Sequence, residues 1–317
     1  MKREILMPDT DAIENIRGCR LRPGRAVKWG GEGGSPVLAP SLPCEGVACY
    51  VYGTVLKYRG WYRIWHQAIV PNFGDVVCHS LSRDGVAWTR PLFNGPGALR
   101  GQKPEERAPT VSTLTFPEEL AASPGLYRGK NNIAACLHNP VVIPPDCGDP
   151  YPGLYKIVGF TNRGYVAGFS EDGRRFRYAS ENPVIPLTWY PNPVTGKNWA
   201  NDVGIPFWDG RNGRYVGLVK TYELDGEGKT RRCIGFTESP DLLRWGPVTT
   251  VWTPGAAEDA IAERKGFRWA DFYGLPAFPY GNGYLGFLWL FMIDHELPRG
   301  THIGKIEVYM AWSRDAR

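Results

Sequence analysis

The sequence predicts an all-β propeller, and three observations predict it. A Ser-x-Asp turn recurs four times along the 317 residues, and an apolar strand followed by a Tyr-rich strand lies upstream of each turn. The composition is that of a β protein, with 12 Trp, 16 Tyr, 13 Phe, 39 Gly and 28 Pro, and without a long stretch rich in Ala, Leu, Glu and Lys. A chain of this length can form a single propeller domain over residues 1–317.

The repeated turn is the clearest element. The segment from Ser82 to Trp88 recurs from Ser170 to Phe176 and from Ser239 to Trp245, and it begins again at Ser313. A strand-like run precedes each copy, and the Ser and Asp side chains can bind the backbone amides of a tight turn. The turns therefore indicate outer hairpins and have a structural role.

The turns and the strands before them define four repeats, each long enough for a four-stranded blade. The predicted blades cover about residues 44–100, 130–196, 199–262 and 268–317, and residues 101–130 are an excursion between the first two. The last repeat is short, so we expect five blades, with residues 1–43 as an N-terminal segment that helps the termini close the ring. Four blades is the alternative.

Charge and composition exclude several functions. The net charge of +5 comes from scattered Lys and Arg residues, which does not favour nucleic acid as a partner. The apolar run from Gly283 to Ile293 is about half as long as a membrane span, and the N-terminus lacks the apolar core of a secretory signal. We therefore expect a cytoplasmic protein without a membrane partner, and the oligomeric state stays open. Seven cysteines without a Cys-x-x-Cys pair indicate free thiols.

Candidate catalytic residues follow from the expected geometry. The first strand of each propeller blade lines the central channel, so an acidic residue at its start faces a bound ligand. This rule selects Glu45, Asp202 and Asp271. Convergent carboxylates suit glycoside hydrolysis, in which one acid protonates the leaving oxygen and another attacks or activates water. The alternative is that each carboxylate only binds backbone amides at a strand start.

Candidate substrate-binding residues surround these acids. Aromatic faces that could stack on sugar rings, and polar side chains that could bind sugar hydroxyls, are predicted at Trp65, His66, Asn132, His138, Trp199, Trp269 and Tyr273. The five histidines have no metal-ligand spacing, so neither a metal site nor a cofactor is predicted, although a structural ion in the central channel stays open.

Several short motifs resemble those of the furanosidase-type propeller glycosidases of families 32 and 43, and most closely those of their uncharacterised bacterial relatives. The motifs are Pro43-Cys44-Glu45-Gly46, the turn from Ser82 to Trp88, Asn131-Asn132-Ile133 and Phe207-Trp208-Asp209. The resemblance implies five blades around a funnel with three acidic residues. Glu45 falls where these families use Asp, and Asn132 and His138 stand where invertases have a second carboxylate. The third acid would be Asp202 or Asp271.

The expected function is therefore that of a glycoside hydrolase or transglycosidase acting on a furanoside or a related glycoside. Two alternatives stay open. A non-catalytic carbohydrate-binding propeller would use the same aromatic faces without turnover, and a glycoside phosphorylase would need a cationic pocket for phosphate beside one acid. In each case the expected partner is a carbohydrate.

Overall fold

The computed structural model describes residues 36–71, 74–92, 114–115, 131–179, 181–191, 198–297 and 302–316. Within these ranges the protein consists almost entirely of antiparallel strands. None of the helices in these ranges has the length and apolar character needed to cross a bilayer.

The first blade begins after a short 3₁₀ turn at Pro43–Glu45. Its three long strands are β1 (Ala48–Tyr58), β2 (Trp61–Val70) and β3 (Gly74–Ser82), which pair in that order. The outer edge is completed by two short strands that both pair with β3. These are β4 (Trp88–Thr89) and, after β5 (Leu114–Thr115), β6 (Ile133–Ala135).

The second blade has the same construction. It contains β7 (His138–Ile143), β8 (Tyr155–Thr161) and β9 (Gly164–Ser170), and its outer edge is formed by β10 (Arg177–Ala179) and β11 (Ile185–Pro186). Strand β5 pairs with β10, so the predicted excursion contributes to the edge of this blade. A hairpin of β12 (Trp189–Pro191) and β13 (Asn198–Ala200) leads to the third blade.

The third and fourth blades follow. The third contains β14 (Gly204–Asp209), β15 (Arg214–Leu224), β16 (Thr230–Ser239) and β17 (Thr249–Trp252). Helix α1 (Ala256–Arg264) connects it to the fourth, which contains β18 (Trp269–Gly274), β19 (Ala277–Tyr280), β20 (Gly283–Glu296) and β21 (His302–Ser313). Strands β18 and β19 both pair with β20, as two parts of one inner strand.

The blades pack face to face around an axis. Inner strand β1 contacts β7, β7 contacts β14, and β14 contacts β19. A separate apolar core fills each of the three interfaces, centred on Trp65 and Ile157 between the first two blades, Tyr165 and Tyr215 between the next two, and Phe272 in the last. Each fully buried large side chain contributes roughly 1.5–3 kcal/mol, so these interfaces hold the ring together. The predicted propeller class is confirmed.

The structural role of the repeated turn is also confirmed. The Ser82 hydroxyl donates to Asp84 Oδ1 at 2.9 Å, and this oxygen accepts the backbone N–H groups of Val86 and Ala87, both at 2.8 Å. The same Ser-to-Asp bond forms in the other three copies, at 3.2, 3.3 and 3.0 Å. Every Asp of the motif is therefore engaged in its turn.

Two expectations differ from the structure or lie beyond it. Helix α1 was not expected, but local features explain it. Its sequence is rich in Ala, which favours a helix. The Gly255 N–H donates to Glu258 Oε2 at 2.8 Å at its start, and Gly266, with φ 84°, ends it. The five-blade count stays a prediction, because residues 1–35 of the expected closing segment lie outside the described ranges. Six of the seven cysteines are described, and all six are free thiols.

Candidate active site

The starts of the inner strands and the ends of the second strands meet at one end of the propeller, because neighbouring strands are antiparallel. At this end five half-buried polar or aromatic side chains approach one another around the axis. We call this group the axial cluster, and it comprises Tyr52, Asp75, His138, Asp202 and Tyr273. Each of the four blades contributes at least one member.

The first half of the axial cluster is an imidazole and a carboxylate. His138, the first residue of β7, places Nδ1 at 2.9 Å from Oδ2 of Asp75, which lies at the start of β3. The two side chains are 30% and 29% exposed, so both groups are accessible from solvent. The ring of Tyr52 packs edge-on against His138 with 5.1 Å between the ring centres.

The second half is an ion pair. Asp202 lies two residues before the start of β14, and its carboxylate contacts the ammonium of Lys220 on β15. The Asp202 side chain is 36% exposed, whereas Lys220 is 4% exposed, so the carboxylate faces outward and its counter-ion lies beneath it. Lys220 Nζ is also 5.0 Å from the centre of the Tyr273 ring. Burial, with Tyr273 and Asp202 as neighbours, raises the pKa of Tyr52 and keeps its hydroxyl neutral.

The backbone on both sides of Asp202 is fixed. The carbonyl of Asn201 accepts the hydroxyl of the buried Tyr165, and the carbonyl of Val203 accepts the Lys220 N–H at 2.7 Å. Lys220 therefore supports Asp202 through its main chain as well as its side chain. A carboxylate held in this way loses little entropy when it engages a substrate.

Glu45 does not face an open channel, contrary to the sequence prediction. Its side chain is fully buried, and Oε1 accepts Arg90 Nε at 2.7 Å and Asn132 Nδ2 at 3.2 Å. Oε2 accepts the backbone N–H groups of Ser41 at 2.8 Å and Leu42 at 3.2 Å. Burial disfavours the charged form, but these bonds and a contact with the His66 ring lower the pKa of Glu45 below its usual range. Glu45 thus anchors the turn before β1.

Asp271 is likewise closed to substrate, and its assignment as a catalytic acid is corrected on this ground. It is fully buried in β18, where Oδ1 accepts Arg231 Nε at 3.2 Å and Oδ2 accepts Arg232 Nη1 at 3.0 Å. Burial opposes its charge, but His302 and the two arginines lower the pKa of Asp271. The carboxylate compensates the charge of two buried guanidinium groups, which is a structural role.

The predicted substrate-binding residues separate into two groups. Trp65, His66 and Asn132 are fully buried in the first blade and cannot touch a sugar, which corrects those three predictions. Trp65 Nε1, for example, donates to the carbonyl of Gly173 at 2.6 Å inside the interface between blades.

The remaining four lie at the axial end. His138 and Tyr273 belong to the axial cluster, and Trp199 is half-buried, with Arg232 at 4.7 Å from its ring centre. Trp269 is 8% exposed, and Lys229 Nζ lies 3.3 Å from its ring centre, so one face is already covered. A role in substrate binding stays a prediction for these residues.

One group of side chains has the ligand types of a metal site. Potential ligand atoms of Glu45, Cys49 and His66 lie within 4.8 Å of one another. However, Arg90, Asn132 and two backbone N–H groups already use the lone pairs of the Glu45 carboxylate, and a guanidinium at 2.7 Å repels a metal cation. These residues therefore do not fit a metal ion.

A buried histidine beside this group makes stability depend on pH. Burial and the positive charge of Arg63 lower the pKa of His79 to about 3. The unfolded chain takes up a proton near the ordinary value of 6.5, whereas the folded chain does so only near 3. Between these values the unfolded state binds more protons, so stability falls as the pH falls, by up to about 1.4 kcal/mol per pH unit.

Replacing His79 by Phe is therefore expected to reduce the acid dependence of stability. The Phe ring can keep the stacking on Trp65, whose ring centre is 5.0 Å from that of His79. Urea unfolding at several pH values between 6.5 and 4 measures the slope for both proteins. An unchanged slope in His79→Phe would contradict the neutral, buried state of this histidine.

Three members or supports of the site were missed by sequence reasoning, which looked for carboxylates only at the starts of inner strands. Tyr52 lies in the middle of β1, Asp75 begins a third strand, and Lys220 lies near the end of a second strand. Lys220 carried a signal, since it follows the apolar run Tyr215–Val219 in a strand that had to be buried. Asp75 carried none.

No protein-family model matches the sequence, and no curated protein matches it. Solved structures with a related arrangement of strands include a candidate glycoside hydrolase from Parabacteroides distasonis (TM-score 0.45, 13% identity, covering 84% of this chain and 72% of that one). An N-acetylgalactosamine deacetylase from F. plautii has a TM-score of 0.43, 12% identity and coverages of 81% and 69%. An endo-arabinase from Bacteroides thetaiotaomicron has a TM-score of 0.43, 12% identity and coverages of 82% and 72%. These similarities concern the arrangement of strands only.

Proposed function

We propose that the protein is a glycoside hydrolase that cleaves a furanoside or a related glycoside at the axial cluster. The observation that supports this most is the convergence of a carboxylate with its buried ammonium, Asp202 with Lys220, and an imidazole–carboxylate pair, His138 with Asp75. Asp75, His138 and Asp202 come from three different blades and are part-exposed at the same end of the axis. A negative group and a proton donor are what acetal cleavage requires.

The chemistry divides between the two pairs. A protonated imidazole is a general acid, so His138 can give a proton to the glycosidic oxygen as its bond to the anomeric carbon breaks, and Asp75 stabilises the imidazolium before that transfer. Asp202 faces the positive charge that develops at the anomeric carbon, as nucleophile or as base towards water. Water supplies the hydroxyl group to that carbon, and its proton returns the site to its starting state.

The surroundings favour a sugar as ligand. Tyr52 stacks on Trp289 with 5.7 Å between ring centres, and Tyr273 is a neighbour of Tyr52, so aromatic rings border the polar groups. Sugars are bound by such combinations, since apolar C–H faces stack on rings while hydroxyls bond to carboxylates and imidazoles. The furanoside specificity rests on the motif resemblance alone.

His138→Gln is expected to lower kcat by roughly 10²–10⁴-fold on a substrate with a sugar leaving group, because the amide cannot donate a proton efficiently. On a dinitrophenyl glycoside, whose leaving group needs no protonation, the loss should be about tenfold or less. Product release is measured for both substrates over a panel of furanosides and pyranosides. Equal losses on both would contradict the role of His138 as the acid.

A second candidate, a carbohydrate-binding propeller without turnover, is favoured by one observation. Two of the three predicted acids are fully engaged in the fold: Glu45 by Arg90, Asn132 and two backbone N–H groups, and Asp271 by two arginines. Calorimetric binding of a glycan that is recovered unchanged after long incubation would select this function. Turnover only in the presence of phosphate would select a phosphorylase instead.

A further inference from the structure

The residue after His138 has an unusual backbone. Asn139 is 2% exposed and has φ +48°, and it precedes Pro140. Positive φ is uncommon outside glycine, and a following proline restricts the backbone to extended conformations, so this conformation is disfavoured locally. It coincides with a bulge in the pairing of β7 with β8, between His138 and Val141. Strained residues and bulges of this kind concentrate at functional sites.

In this conformation Asn139 makes two hydrogen bonds, one to each neighbouring blade. The Asn139 N–H donates to Oε1 of Gln67 on β2, at 2.8 Å. The Asn139 side-chain Oδ1 accepts the N–H of Gly204, the first residue of β14, at 2.9 Å. One buried residue of the second blade therefore links the first blade to the third.

Both bonds end next to a proposed reacting group. Nε2 of Gln67 lies 3.2 Å from Nδ1 of His138. The hydrogen bond from the Asn139 N–H to Gln67 therefore also fixes the amide group that contacts the His138 ring. Gly204 follows Asp202 by two residues, and the Tyr165 ring leaves no space for a Cβ at Gly204. The Asn139 contact therefore joins the bonds from Tyr165 and Lys220 in fixing the main chain that carries Asp202, and it is the one that links this main chain to the residue after His138.

We infer that Asn139 is a positioning residue that sets the separation and orientation of His138 and Asp202. The inference rests on the proposed function and deepens it, because it identifies the residue that holds the proton donor and the carboxylate at a fixed separation and orientation. Asn139 itself contacts Gln67 and Gly204 and is closed to substrate.

The test uses substitutions that separate backbone conformation from the side-chain bond. Asn139→Gly keeps access to positive φ and removes the side chain with its Oδ1 acceptor, whereas Asn139→Asp keeps an acceptor oxygen. Asn139→Gly should lower kcat by on the order of 10–10²-fold, with KM changed by less than about threefold, because misplacement of reacting groups acts on the chemical step. Asn139→Asp should restore kcat to within a few-fold of wild type.

Asn182→Gly is the matched control. Asn182 also precedes a proline, and its side chain bonds to the backbone of Ala167 at 2.8 and 3.0 Å within the second blade, away from the axial cluster. This variant should keep the wild-type kcat. Unchanged kcat in Asn139→Gly, or an equal loss in Asn182→Gly, would overturn the inference.

A second measurement distinguishes failure of this inference from failure of the proposed function. The midpoint of the His138 imidazole titration, followed by NMR, does not require turnover. If the wild type cleaves no glycoside, the proposed function fails. The positioning role then stands if Asn139→Gly shifts that midpoint while Asn182→Gly does not, and it is overturned if the midpoint is the same in all three proteins.

Discussion

Asp202→Asn is expected to lower kcat by at least about 10³-fold, which corresponds to ~4 kcal/mol of lost transition-state stabilisation. The amide has almost the same shape but carries no charge, so it neither stabilises a cationic anomeric carbon nor forms a bond to it. Lys220, which the carboxylate now neutralises, would then stand as an uncompensated positive charge beside the reaction and oppose it. KM should change little, since hydrogen bonding to the ground-state sugar is retained.

The control is Asp146→Asn, which removes a carboxylate that also faces a cation. Asp146 is 54% exposed and lies 3.4 Å from Arg59, just beyond the other end of β1. Kinetics and a urea unfolding curve are compared for wild type and both variants. Full activity in Asp202→Asn would remove this residue from the mechanism, and a similar loss in Asp146→Asn would show that the effect is unspecific.

Asp271→Asn is expected to cause the largest loss of stability, about 3–5 kcal/mol, because breaking a buried ion pair leaves a charge without compensation. Arg231 keeps a second carboxylate, Asp259, at 2.7 Å. Arg232 is 8% exposed, and Asp271 is the carboxylate within ion-pair distance of it among the described residues. The penalty should therefore arise mainly at Arg232.

This origin is tested by a double-mutant cycle. If the penalty comes from the uncompensated guanidinium, Asp271→Asn combined with Arg232→Met should be less destabilised than the sum of the single variants. Free energies of unfolding in urea measure all four proteins. A loss below about 1 kcal/mol in Asp271→Asn, or strict additivity, would mean that the pair contributes nothing specific.

The fold was largely predictable because it repeats. The hydrogen bonds that made the Ser82 and Asp84 turn recognisable are local in sequence, and they recur at Ser170, Ser239 and Ser313. Pairings between distant segments were not predictable. Strand β6 joins the first blade although its sequence lies at the start of the predicted second blade, and β5 joins the second blade although its sequence lies between the two. Such pairings depend on which blade has an unpaired edge strand in the folded protein, and the sequence pattern does not indicate this.

The site was only partly predictable, for a related physical reason. The rule that a strand start faces the axis selected Asp202, which the structure places in the axial cluster, but it did not show which carboxylates are paired with an arginine. Arg90 and Arg232 are distant in sequence from Glu45 and Asp271, and these contacts decide that both carboxylates are structural. Asp75 reaches His138 across 63 residues, so only the folded chain reveals the pair.

Incubation in H₂¹⁸O tests most directly whether the axial cluster cleaves glycosides by hydrolysis. With a substrate found in the panel, mass spectrometry of the products shows which fragment takes the water oxygen. The account predicts one ¹⁸O atom at the anomeric carbon of the released sugar, an unlabelled leaving group, and product formation slowed by at least about 10³-fold in Asp202→Asn. Recovery of intact substrate, or label on the leaving group, would contradict it.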